Sequence, residues 1–383
     1  MSSTARYARQ LALPGFGLAA QRRLADARVL IVGAGGLGSI VIPALAAAGV
    51  GDGDGDGDGA IHLVDDDEVE LSNLHRQTVH STTDIGRPKV DSAADRALAI
   101  NTDATIVRHR LRLGPGEIMG LLADARIDLV IDGSDNFETR YLVDDAATLA
   151  DVPLVWGAVS QYGGQAGLSW ASRGPRYRDL FPHPPTDGSI LSCEAGGVLP
   201  TTVGVIGSIM ATEAIKVLTG VGTPSLGRVT MFDGLSGGFR ELRYERDPAG
   251  ARQVSLDEHL HRTPGEDAAS TTSAAPHAPR HAGRTITAEQ LAASDDEAVL
   301  LDVREPWEAE IARLPGSTLM PLGSLPETLH SLDPQTPVVV YCHHGIRSES
   351  ALRLLLERGY AAVHLEGGID AWSRLVDPTV PRY

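Results

Sequence analysis

The sequence predicts an α/β protein of two domains: a first domain built on a mostly parallel sheet, and a second, smaller α/β domain. Residues 1–248 alternate apolar, strand-like runs with amphipathic helical stretches, a pattern typical of a parallel sheet covered by helices. The same alternation resumes in residues 284–383. A length of 383 residues also exceeds the size of one ordinary domain.

Short apolar runs mark the strands of the first domain, and helical stretches fit between them. The candidates are Arg28–Val32, Ile61–Val64, Thr105–Arg110, Leu129–Asp132 and Leu154–Ala158. Residues 29–50 form a run of 22 residues without a charge, long enough to cross a membrane. The glycines and Pro43 within it favour a strand, a glycine turn and a helix instead. The N-terminus has no apolar stretch behind its basic residues, so we expect a cytoplasmic protein without a signal peptide or membrane span.

The composition argues against several classes of function. A net charge of −17 disfavours a nucleic-acid-binding surface, which needs clustered positive charge. With Cys193 and Cys342 as its only cysteines, the chain cannot form a disulfide framework or a four-cysteine zinc site. The chain has 31 Arg but only 2 Lys, although Lys is normally among the commonest residues. We therefore expect Lys89 and Lys216 to stand where Arg does not serve, since Arg cannot replace a compact point charge.

Two segments contain almost nothing that could build a core. Residues 249–283 form a tail and a flexible linker, of which 266–283 is rich in Ala, Ser, Thr and Pro. The tract GDGDGDGDG at 51–59 has no apolar residue, so neither a strand nor a packed helix fits it. Calcium-binding repeats also need an apolar position in each repeat, so we interpret the tract as a solvated loop.

A glycine-rich turn follows the first strand and opens a helix, as in a Rossmann-like nucleotide-binding fold. Such a turn lets the backbone approach a phosphate, and the helix N-terminus offers unpaired N–H groups. Its glycines are Gly33, Gly35, Gly36 and Gly38. The next strand ends at Asp65, an acid suited to bonding ribose hydroxyls. Alone, this pattern indicates a nucleotide, often NAD, and a turn used only for packing is the alternative.

Cations beyond the second strand favour a triphosphate over a dinucleotide. The acidic run after that strand is followed by LSNLHRQ, by GRPK and, after a later strand, by DGSDN. Arg76 and Lys89 supply positive charge that a dehydrogenase does not need there, and Asp135 supplies a carboxylate for Mg²⁺. Taken singly, these residues also fit an acidic corner and surface charge.

The run RYARQ…GAGGLG…LVDDDEVELSNLHRQ…GRPK…DGSDN…TR resembles the MoeB/ThiF family of ubiquitin-activating-type adenylyltransferases, over about residues 5–248. The resemblance implies ATP-dependent adenylation of the C-terminal Gly-Gly carboxylate of a ubiquitin-like sulfur-carrier protein. Arg9 matches an N-terminal arginine that reaches into the partner subunit's site in a homodimer. The other implied contacts are all to the nucleotide: the ribose by Asp65, the phosphates by Asn73, Arg76 and Lys89, and Mg²⁺ by Asp135, beside Asn136.

Many members of that family carry two CxxC pairs for structural zinc, and this chain does not. The positions of the first pair hold Arg176 and Asp179, and a second pair does not occur, so we expect no zinc. Cys193 lies in the segment SCEAGG, and the resemblance makes it a candidate acyl acceptor or resolving thiol. An ordinary buried cysteine is the alternative. Lys216 gains no catalytic role and is interpreted as structural or partner-facing.

The second domain contains the loop CHHGIRS between an apolar strand and a helix. Backbone N–H groups and the positive end of a helix dipole favour a thiolate there, and Arg347 adds a cation. With LDVRE before it and LEGGI after it, the loop resembles that of the rhodanese sulfurtransferases. This resemblance implies a persulfide on Cys342, cradled by His343, His344, Gly345, Ile346 and Arg347. A phosphatase loop, C-x5-R, needs one more residue before the arginine, and adjacent histidines rarely face one metal ion.

Together these features predict adenylation of the carrier, then sulfur transfer from the Cys342 persulfide, with Cys193 resolving the acyl disulfide. The sulfur donor is a cysteine desulfurase or thiosulfate, and molybdopterin, thiamine and cysteine synthesis all remain open as the pathway. Two rival hypotheses are an NAD-dependent oxidoreductase fused to a rhodanese domain and a non-catalytic carrier-binding scaffold. The scaffold is disfavoured because the charged residues of the expected ATP site and Cys342 are all present.

Overall fold

The computed structural model describes residues 3–53, 58–184, 197–247, 256, 284–294 and 298–382. The chain divides into two compact units, Met1–Gly265 and Glu266–Tyr383. The boundaries expected from the sequence, after residues 248 and 283, fall outside the described residues and stay a prediction.

The first unit is built on one sheet of eight strands. They are β1 (Arg28–Val32), β2 (Ala60–Val64), β3 (Ile106–His109), β4 (Leu129–Asp132), β5 (Leu154–Ser160), β6 (Gly163–Ser169), β7 (Arg228–Asp233) and β8 (Gly238–Arg243). Their order is β3-β2-β1-β4-β5-β6-β7-β8. Strands β1 to β5 pair in parallel and β5 to β8 pair antiparallel. The predicted Rossmann-like, mostly parallel sheet is confirmed.

The antiparallel strands β6, β7 and β8 are absent from the strands predicted by sequence. Strand β6 has the sequence GGQAGLS, which contains few of the branched and aromatic residues that favour strands. Every residue of β8 is exposed, so it shows none of the burial that makes a strand recognisable. Pairing with neighbouring strands, rather than local preference, therefore fixes this half of the sheet.

Helices cover both faces of the sheet. They are α1 (Ser3–Arg6), α2 (Ala8–Leu11), α3 (Gly17–Ala25), α4 (Gly38–Ala48), α5 (Lys89–Ile100), α6 (Pro115–Asp124), α7 (Phe137–Ala150), α8 (Tyr177–Leu180) and α9 (Pro200–Thr219). Val29 and Ile31 of β1 pack in a cluster with α4, α5 and α9. Leu30 and Val32 pack in a second cluster with α6 and α7. Alternate side chains of one strand thus face opposite cores, as expected for a buried parallel sheet.

Helix α9 is long and apolar enough to cross a membrane by length and composition, with a mean hydropathy of 1.4. Its Val203, Ile206 and Met210 are buried in the same cluster as α4, so we interpret it as a core helix. Residues 29–50, the run considered above, fold as β1, a glycine turn and α4.

The second unit contains a five-stranded sheet whose pairs are all parallel. Its strands are β9 (Thr285–Ile286), β10 (Val299–Asp302), β11 (Thr318–Leu319), β12 (Val338–Tyr341) and β13 (Ala362–Leu365). Their order is β11-β10-β12-β13-β9. Its helices are α10 (Ala288–Ala293), α11 (Pro306–Ile311), α12 (Leu325–Thr328), α13 (Ile346–Glu357) and α14 (Gly368–Leu375). The smaller α/β domain is therefore also confirmed.

The first aspartate of the Gly-Asp tract is buried, so the expectation of a fully solvated loop is wrong at that position. Asp52 is 7% exposed, and its Oδ2 accepts a hydrogen bond from Tyr7 Oη at 2.5 Å. Asn101 Nδ2 donates to the same hydroxyl at 3.1 Å. Residues 54–57 of the tract lie outside the described residues. The start of the tract thus anchors the N-terminal segment that carries Arg9.

Two stacked histidines make the first unit sensitive to acid. His62 and His109 have ring centroids 5.3 Å apart on neighbouring strands β2 and β3. Burial lowers the pKa of His62 from 6.5 to about 4, helped by the charges of His109 and Arg28. Between these two values the unfolded chain binds a proton that the folded chain does not. The contribution of His62 to stability is therefore complete above pH 6.5 and is lost as the pH drops toward 4.

We expect His62→Gln to flatten this pH dependence. Thermal unfolding of the wild-type chain should show a transition temperature that falls from about pH 7 to pH 5. The variant should lose less over the same range, because a neutral side chain binds no proton. Replacing the exposed His75 by Gln serves as the control and should follow the wild type. Parallel curves for His62→Gln and the wild type would refute the assignment.

Candidate active site

A cavity of about 830 Å³ lies where the parallel strands β1, β2 and β4 end. The glycine turn after β1, Asp65 after β2 and residues 133–137 after β4 all contribute to its wall. Among the described residues, Gly38 and Asn73 do not line it. The other residues expected to contact the nucleotide do, namely Gly33, Gly35, Gly36, Asp65, Arg76, Lys89, Asp135 and Asn136.

The glycine turn brings main chain to the cavity. Gly33 has a φ of 93°, in the left-handed region that glycine adopts at little cost. A Cβ atom on Gly38 would lie 2.2 Å from the carbonyl oxygen of Gly33, so only glycine lets α4 begin this close to the turn. The turn and the helix N-terminus together suit an anionic ligand.

Asp65 is held at the cavity wall by two main-chain hydrogen bonds. Its Oδ2 accepts one from Ala34 N at 2.8 Å, and its Oδ1 accepts one from Asp67 N at 2.9 Å. Burial raises the pKa of the Asp65 carboxyl, and the charge of Lys89 opposes that rise. The carboxylate is thus fixed beside the glycine turn, in the position suited to a ribose.

The two lysines of the chain occupy different environments. Lys89 begins α5, is only 7% exposed, and lies with its Nζ 2.7 Å from Oδ2 of Asp67 at the cavity. Lys216, in α9, donates to Thr223 O at 3.1 Å and pairs with Glu213. Among the described residues, Lys216 is not part of the cavity wall. Its contacts anchor the loop after α9, in agreement with the structural interpretation.

The segment LSNLHRQ contributes unequally to the cavity. Arg76 lines it, with Nη1 donating to Ser72 O at 3.2 Å. Asn73 is buried instead, and its Oδ1 accepts from Glu70 N at 3.3 Å. Gln77, which sequence reasoning overlooked, also lines the cavity, and its buried Oε1 has no hydrogen-bond partner among the described residues. Gln77 belongs to the HRQ motif that contains Arg76. Because the arginine is the obviously charged residue of that motif, the sequence directed attention to Arg76 alone.

Arg140 holds the loop that carries Asp135, and sequence reasoning gave it no role. Its Nε lies 3.3 Å from Oδ2 of Asp132, and its Nη2 donates to Ser134 O at 2.7 Å. The same Nη2 donates to Gly157 O at 2.9 Å. Arg140 is only 7% exposed and lines the cavity, so its hydrogen bonds hold the loop from the buried side.

Asp135 and Asn136 stand at the start of α7. Asn136 Oδ1 accepts a hydrogen bond from Thr139 N at 2.8 Å and so caps the helix. Asp135 is exposed at the cavity wall. An exposed carboxylate fits Mg²⁺, which is usually bound by one or two carboxylates and keeps several waters.

The cavity continues past the nucleotide-binding residues to the antiparallel strands. The lining of this part combines glycine and serine with apolar side chains and one carboxylate: Ser160, Gly163, Gly164, Met231, Phe232, Gly238, Phe239 and Asp233.

The positions of Arg9 and Cys193 relative to this cavity stay predictions. Arg9 is exposed on α2 and is not among the described residues that line it. Its implied role therefore requires a second copy of the chain and stays a prediction. Cys193 lies outside the described residues.

Ion pairs anchor residues 176–179, the positions of the missing first CxxC pair. Arg176 and Asp179 approach to 3.5 Å. Arg178 donates from Nε and Nη2 to the two carboxylate oxygens of Asp145, both at 2.6 Å. Burial raises the pKa of the neighbouring Asp144 to about 7, and the charge of Asp145 adds to that rise. Side chains of α7 thus hold α8.

In the second unit, Cys342 follows β12 and is only 2% exposed. Its Sγ accepts a hydrogen bond from Gly345 N at 3.1 Å and lies 3.6 Å from Ser348 Oγ. Gly345 has a φ of 102° and precedes α13, which begins at Ile346. The geometry is a cysteine cradled at a helix N-terminus, as the sequence indicated.

The charge of Arg347 is balanced, contrary to the expectation that it simply adds a cation to the loop. Its two terminal nitrogens lie 2.6 Å from the two carboxylate oxygens of Glu308 in α11. Burial lowers the pKa of His343 to about 4, so this side chain is neutral near pH 7. His344 stacks on it, with ring centroids 4.0 Å apart. Both histidines lie in the loop, and one ring nitrogen of each lies within 4.8 Å of the other and of a carboxylate oxygen of Asp370, so the expectation that they share no metal ion stays a prediction.

Family models match both units of the chain. The model of the ThiF family matches residues 7–251, and that of the rhodanese-like domain matches residues 287–375. The probable adenylyltransferase/sulfurtransferase MoeZ of Mycobacterium tuberculosis is 40% identical over 391 residues, which cover 99% of this chain and 95% of that protein. The adenylyltransferase and sulfurtransferase MOCS3-2 of Zea mays is 37% identical, with 99% of this chain and 80% of that protein covered.

Solved structures support the fold of the first unit. A crystal structure of E. coli MccB with ATP has a TM-score of 0.55 and 21% identity, covering 63% of this chain and 72% of that chain. A second, with AMPCPP and selenomethionine MccA, also has a TM-score of 0.55, covering 65% of this chain and 73% of that one.

Proposed function

The chain belongs to the ThiF family and ends in a rhodanese-like domain, and from this premise we propose that it adenylates a ubiquitin-like sulfur-carrier protein and then transfers sulfur to it. One observation carries the proposal. The same chain holds Asp65, Arg76 and Lys89 around a glycine-turn cavity and, in a separate unit, a buried Cys342 whose Sγ accepts a main-chain N–H. The first arrangement suits ATP, and the second suits a persulfide.

ATP would occupy the cavity with its phosphates near the glycine turn. Asp65 would bond the ribose, and Arg76 and Lys89 would face the phosphates. Asp135 would ligate Mg²⁺, which when bound neutralises phosphate charge and orients the leaving group. Asn73 is proposed as a further phosphate ligand from resemblance alone, and Gln77 offers a buried acceptor at the same wall.

In the first step, an oxygen of the carrier's C-terminal glycine carboxylate attacks the α-phosphorus of ATP. The bond from that phosphorus to the bridging oxygen breaks, pyrophosphate leaves, and an acyl-adenylate remains. Little covalent chemistry falls to the protein, so positioning and charge stabilisation provide the acceleration. Arg76 and Lys89 supply that charge from this chain, and Arg9 supplies it from a second copy in a homodimer.

In the second step, the terminal sulfur of a Cys342 persulfide attacks the acyl carbon, and AMP leaves. Carrier and Cys342 are then joined by an acyl disulfide. The thiolate of Cys193 attacks Sγ of Cys342, releasing the carrier thiocarboxylate and leaving a disulfide between the two cysteines. A thiol reductant restores both cysteines, and a sulfur donor reloads Cys342 as the persulfide.

The proposed partners follow from this chemistry. The carrier is proposed to end in Gly-Gly, as the resemblance to the ThiF family implies. The sulfur donor is a cysteine desulfurase or thiosulfate. We propose a cytoplasmic homodimer that binds neither nucleic acid nor membrane, in keeping with the acidic net charge of −17.

We expect the purified protein to contain no stoichiometric zinc. The ion pairs of Arg176 with Asp179 and of Arg178 with Asp145 take the place of a structural zinc in anchoring α8. Elemental analysis of protein purified without chelators checks this, with a known zinc protein treated identically as the control. One zinc per chain would contradict the expectation.

Carrier-dependent exchange of labelled pyrophosphate into ATP tests the proposed function. The proposal requires exchange only when ATP, Mg²⁺ and a Gly-Gly carrier are all present. A change in nicotinamide absorbance without exchange would favour an oxidoreductase, and carrier binding without either activity would favour a scaffold.

A further inference from the structure

The loop that carries Cys342 is held by a second helix. The carbonyl oxygen of Cys342 accepts a hydrogen bond from Ile369 N at 2.9 Å, and that of His343 accepts one from Asp370 N at 3.1 Å. Both donors belong to the first turn of α14, whose N–H groups have no partner within the helix. The N-terminus of α14 therefore caps the loop rather than a ligand.

Gly368 makes this contact possible. It has a φ of 59°, and a Cβ atom placed on it would lie 2.3 Å from the carbonyl oxygen of His343 and 2.4 Å from that of Cys342. Both distances are far below van der Waals contact, and both involve main-chain atoms. Any side chain at this position must push α14 and the loop apart.

The direction of these carbonyls determines which main-chain N–H groups face the sulfur of Cys342. In a trans peptide the C=O and the following N–H point in opposite directions. With the carbonyls of Cys342 and His343 turned toward α14, the N–H groups of His343 and His344 point away from it. Gly345 N, the next donor along the loop, already lies 3.1 Å from Sγ.

Helix α14 also has contacts outside the loop, since Ile369 is buried in a cluster with Ala288 of α10 and Leu365 of β13. Asp370 is only 7% exposed, and its carboxylate lies 2.8 Å from Nε of Arg382 and 2.9 Å from Nε of Arg374. Ala371 N donates to Gly367 O at 3.1 Å, which continues the turn at the start of the helix. The start of α14 thus holds the main chain of the Cys342 loop in one orientation.

We propose that Gly368 is a positioning residue for sulfur transfer: it lets α14 orient the peptide groups of residues 342–344 so that their N–H groups serve the sulfur of Cys342. The proposal rests on the sulfur-transfer half of the proposed function. It gives Gly368, the second glycine of the LEGGI motif, a role in sulfur transfer as well as in the turn.

Gly368→Ala tests the proposal, with Gly359→Ala as the matched control. Gly359 also has a positive φ, of 86°, but a Cβ atom there would meet nothing within 4 Å. Both variants therefore carry the same kind of backbone strain, and only Gly368→Ala displaces the loop. We expect Gly368→Ala to lower the turnover number of sulfur transfer about 10-fold to 100-fold, and Gly359→Ala to leave it near wild type.

A second readout separates positioning from loss of stability. In a Cys193→Ala background Cys342 is the sole thiol, and its alkylation by iodoacetamide can be followed by mass. Loss of the oriented N–H groups should slow alkylation at neutral pH. Mere loosening of the fold should speed it, because the buried cysteine becomes accessible. Wild-type turnover with wild-type or faster alkylation in Gly368→Ala would overturn the proposal.

Ile369→Pro provides a route if Gly368→Ala does not fold. Proline is tolerated in the first turn of a helix but lacks the N–H that Ile369 donates to Cys342 O. Ile369→Val retains the donor and serves as its control. We expect slower alkylation and turnover for the proline variant only, and equal values for the two would overturn the proposal. Alkylation needs no carrier, so it tests Gly368 even if the wild-type chain proves to transfer no sulfur.

Discussion

Replacing Lys89 with alanine is expected to reduce carrier-dependent pyrophosphate exchange by about 100-fold or more. Lys89 is a buried cation of the cavity and lies with its Nζ 2.7 Å from Asp67. Without it, the charge on the departing pyrophosphate loses its main stabilising partner from this chain. Asp67 is largely exposed, and Asp65 keeps its two main-chain hydrogen bonds, so the fold should survive the substitution.

Lys216→Ala is the natural control, since it removes the only other lysine of the chain. Its contacts with Glu213 and Thr223 are structural, so we expect full exchange activity and a lower unfolding temperature. Retained exchange in Lys89→Ala would refute the assignment of the cavity to ATP. If a folded Lys216→Ala variant also lost exchange, the loss in Lys89→Ala would not be specific to the cavity.

Cys342→Ala should stop sulfur transfer completely and leave pyrophosphate exchange at the wild-type level. Without the sulfur of Cys342 no atom remains to carry the persulfide, and Gly345 N alone cannot hold one. Adenylation takes place in the other unit and uses none of these atoms. Accumulation of acyl-adenylate, measured as AMP released on acid treatment, should accompany the loss.

The matched cysteine variant, Cys193→Ala, distinguishes transfer from release. If Cys193 resolves the acyl disulfide, this variant should form a covalent adduct between carrier and Cys342 that an added thiol cleaves. If Cys193 is an ordinary buried cysteine, the adduct should not persist. Continued thiosulfate sulfurtransferase activity in Cys342→Ala would contradict the role given to Cys342.

Sequence patterns were most informative where chemistry and local structure coincide. The glycine turn, Asp65 and the Cys342 loop each follow a buried strand directly, so their position in space follows from the strand order. The parallel strands were recognisable because their apolar runs are buried on both faces. Strand β6, with its glycines, and the fully exposed β8 carry no such pattern.

The residues that sequence reasoning missed depend on contacts distant along the chain. Arg140 donates hydrogen bonds to the main-chain oxygens of Ser134 and Gly157, and no sequence motif predicts those partners. The pairing of Arg347 with Glu308 spans 39 positions, so the balance of charge at the sulfur could not be anticipated. Asp52 seemed solvated because its tract has no apolar residue, yet Tyr7 and Asn101 bury it.

One measurement tests the central claim most directly. The wild-type chain is incubated with ATP, Mg²⁺, a sulfur donor and a candidate Gly-Gly carrier, and the intact mass of the carrier is recorded. The account predicts a carrier heavier by the difference between one sulfur and one oxygen atom, formed only when ATP and the donor are both present. A carrier that is adenylated but never gains sulfur, or that remains unmodified with every candidate carrier, would contradict it.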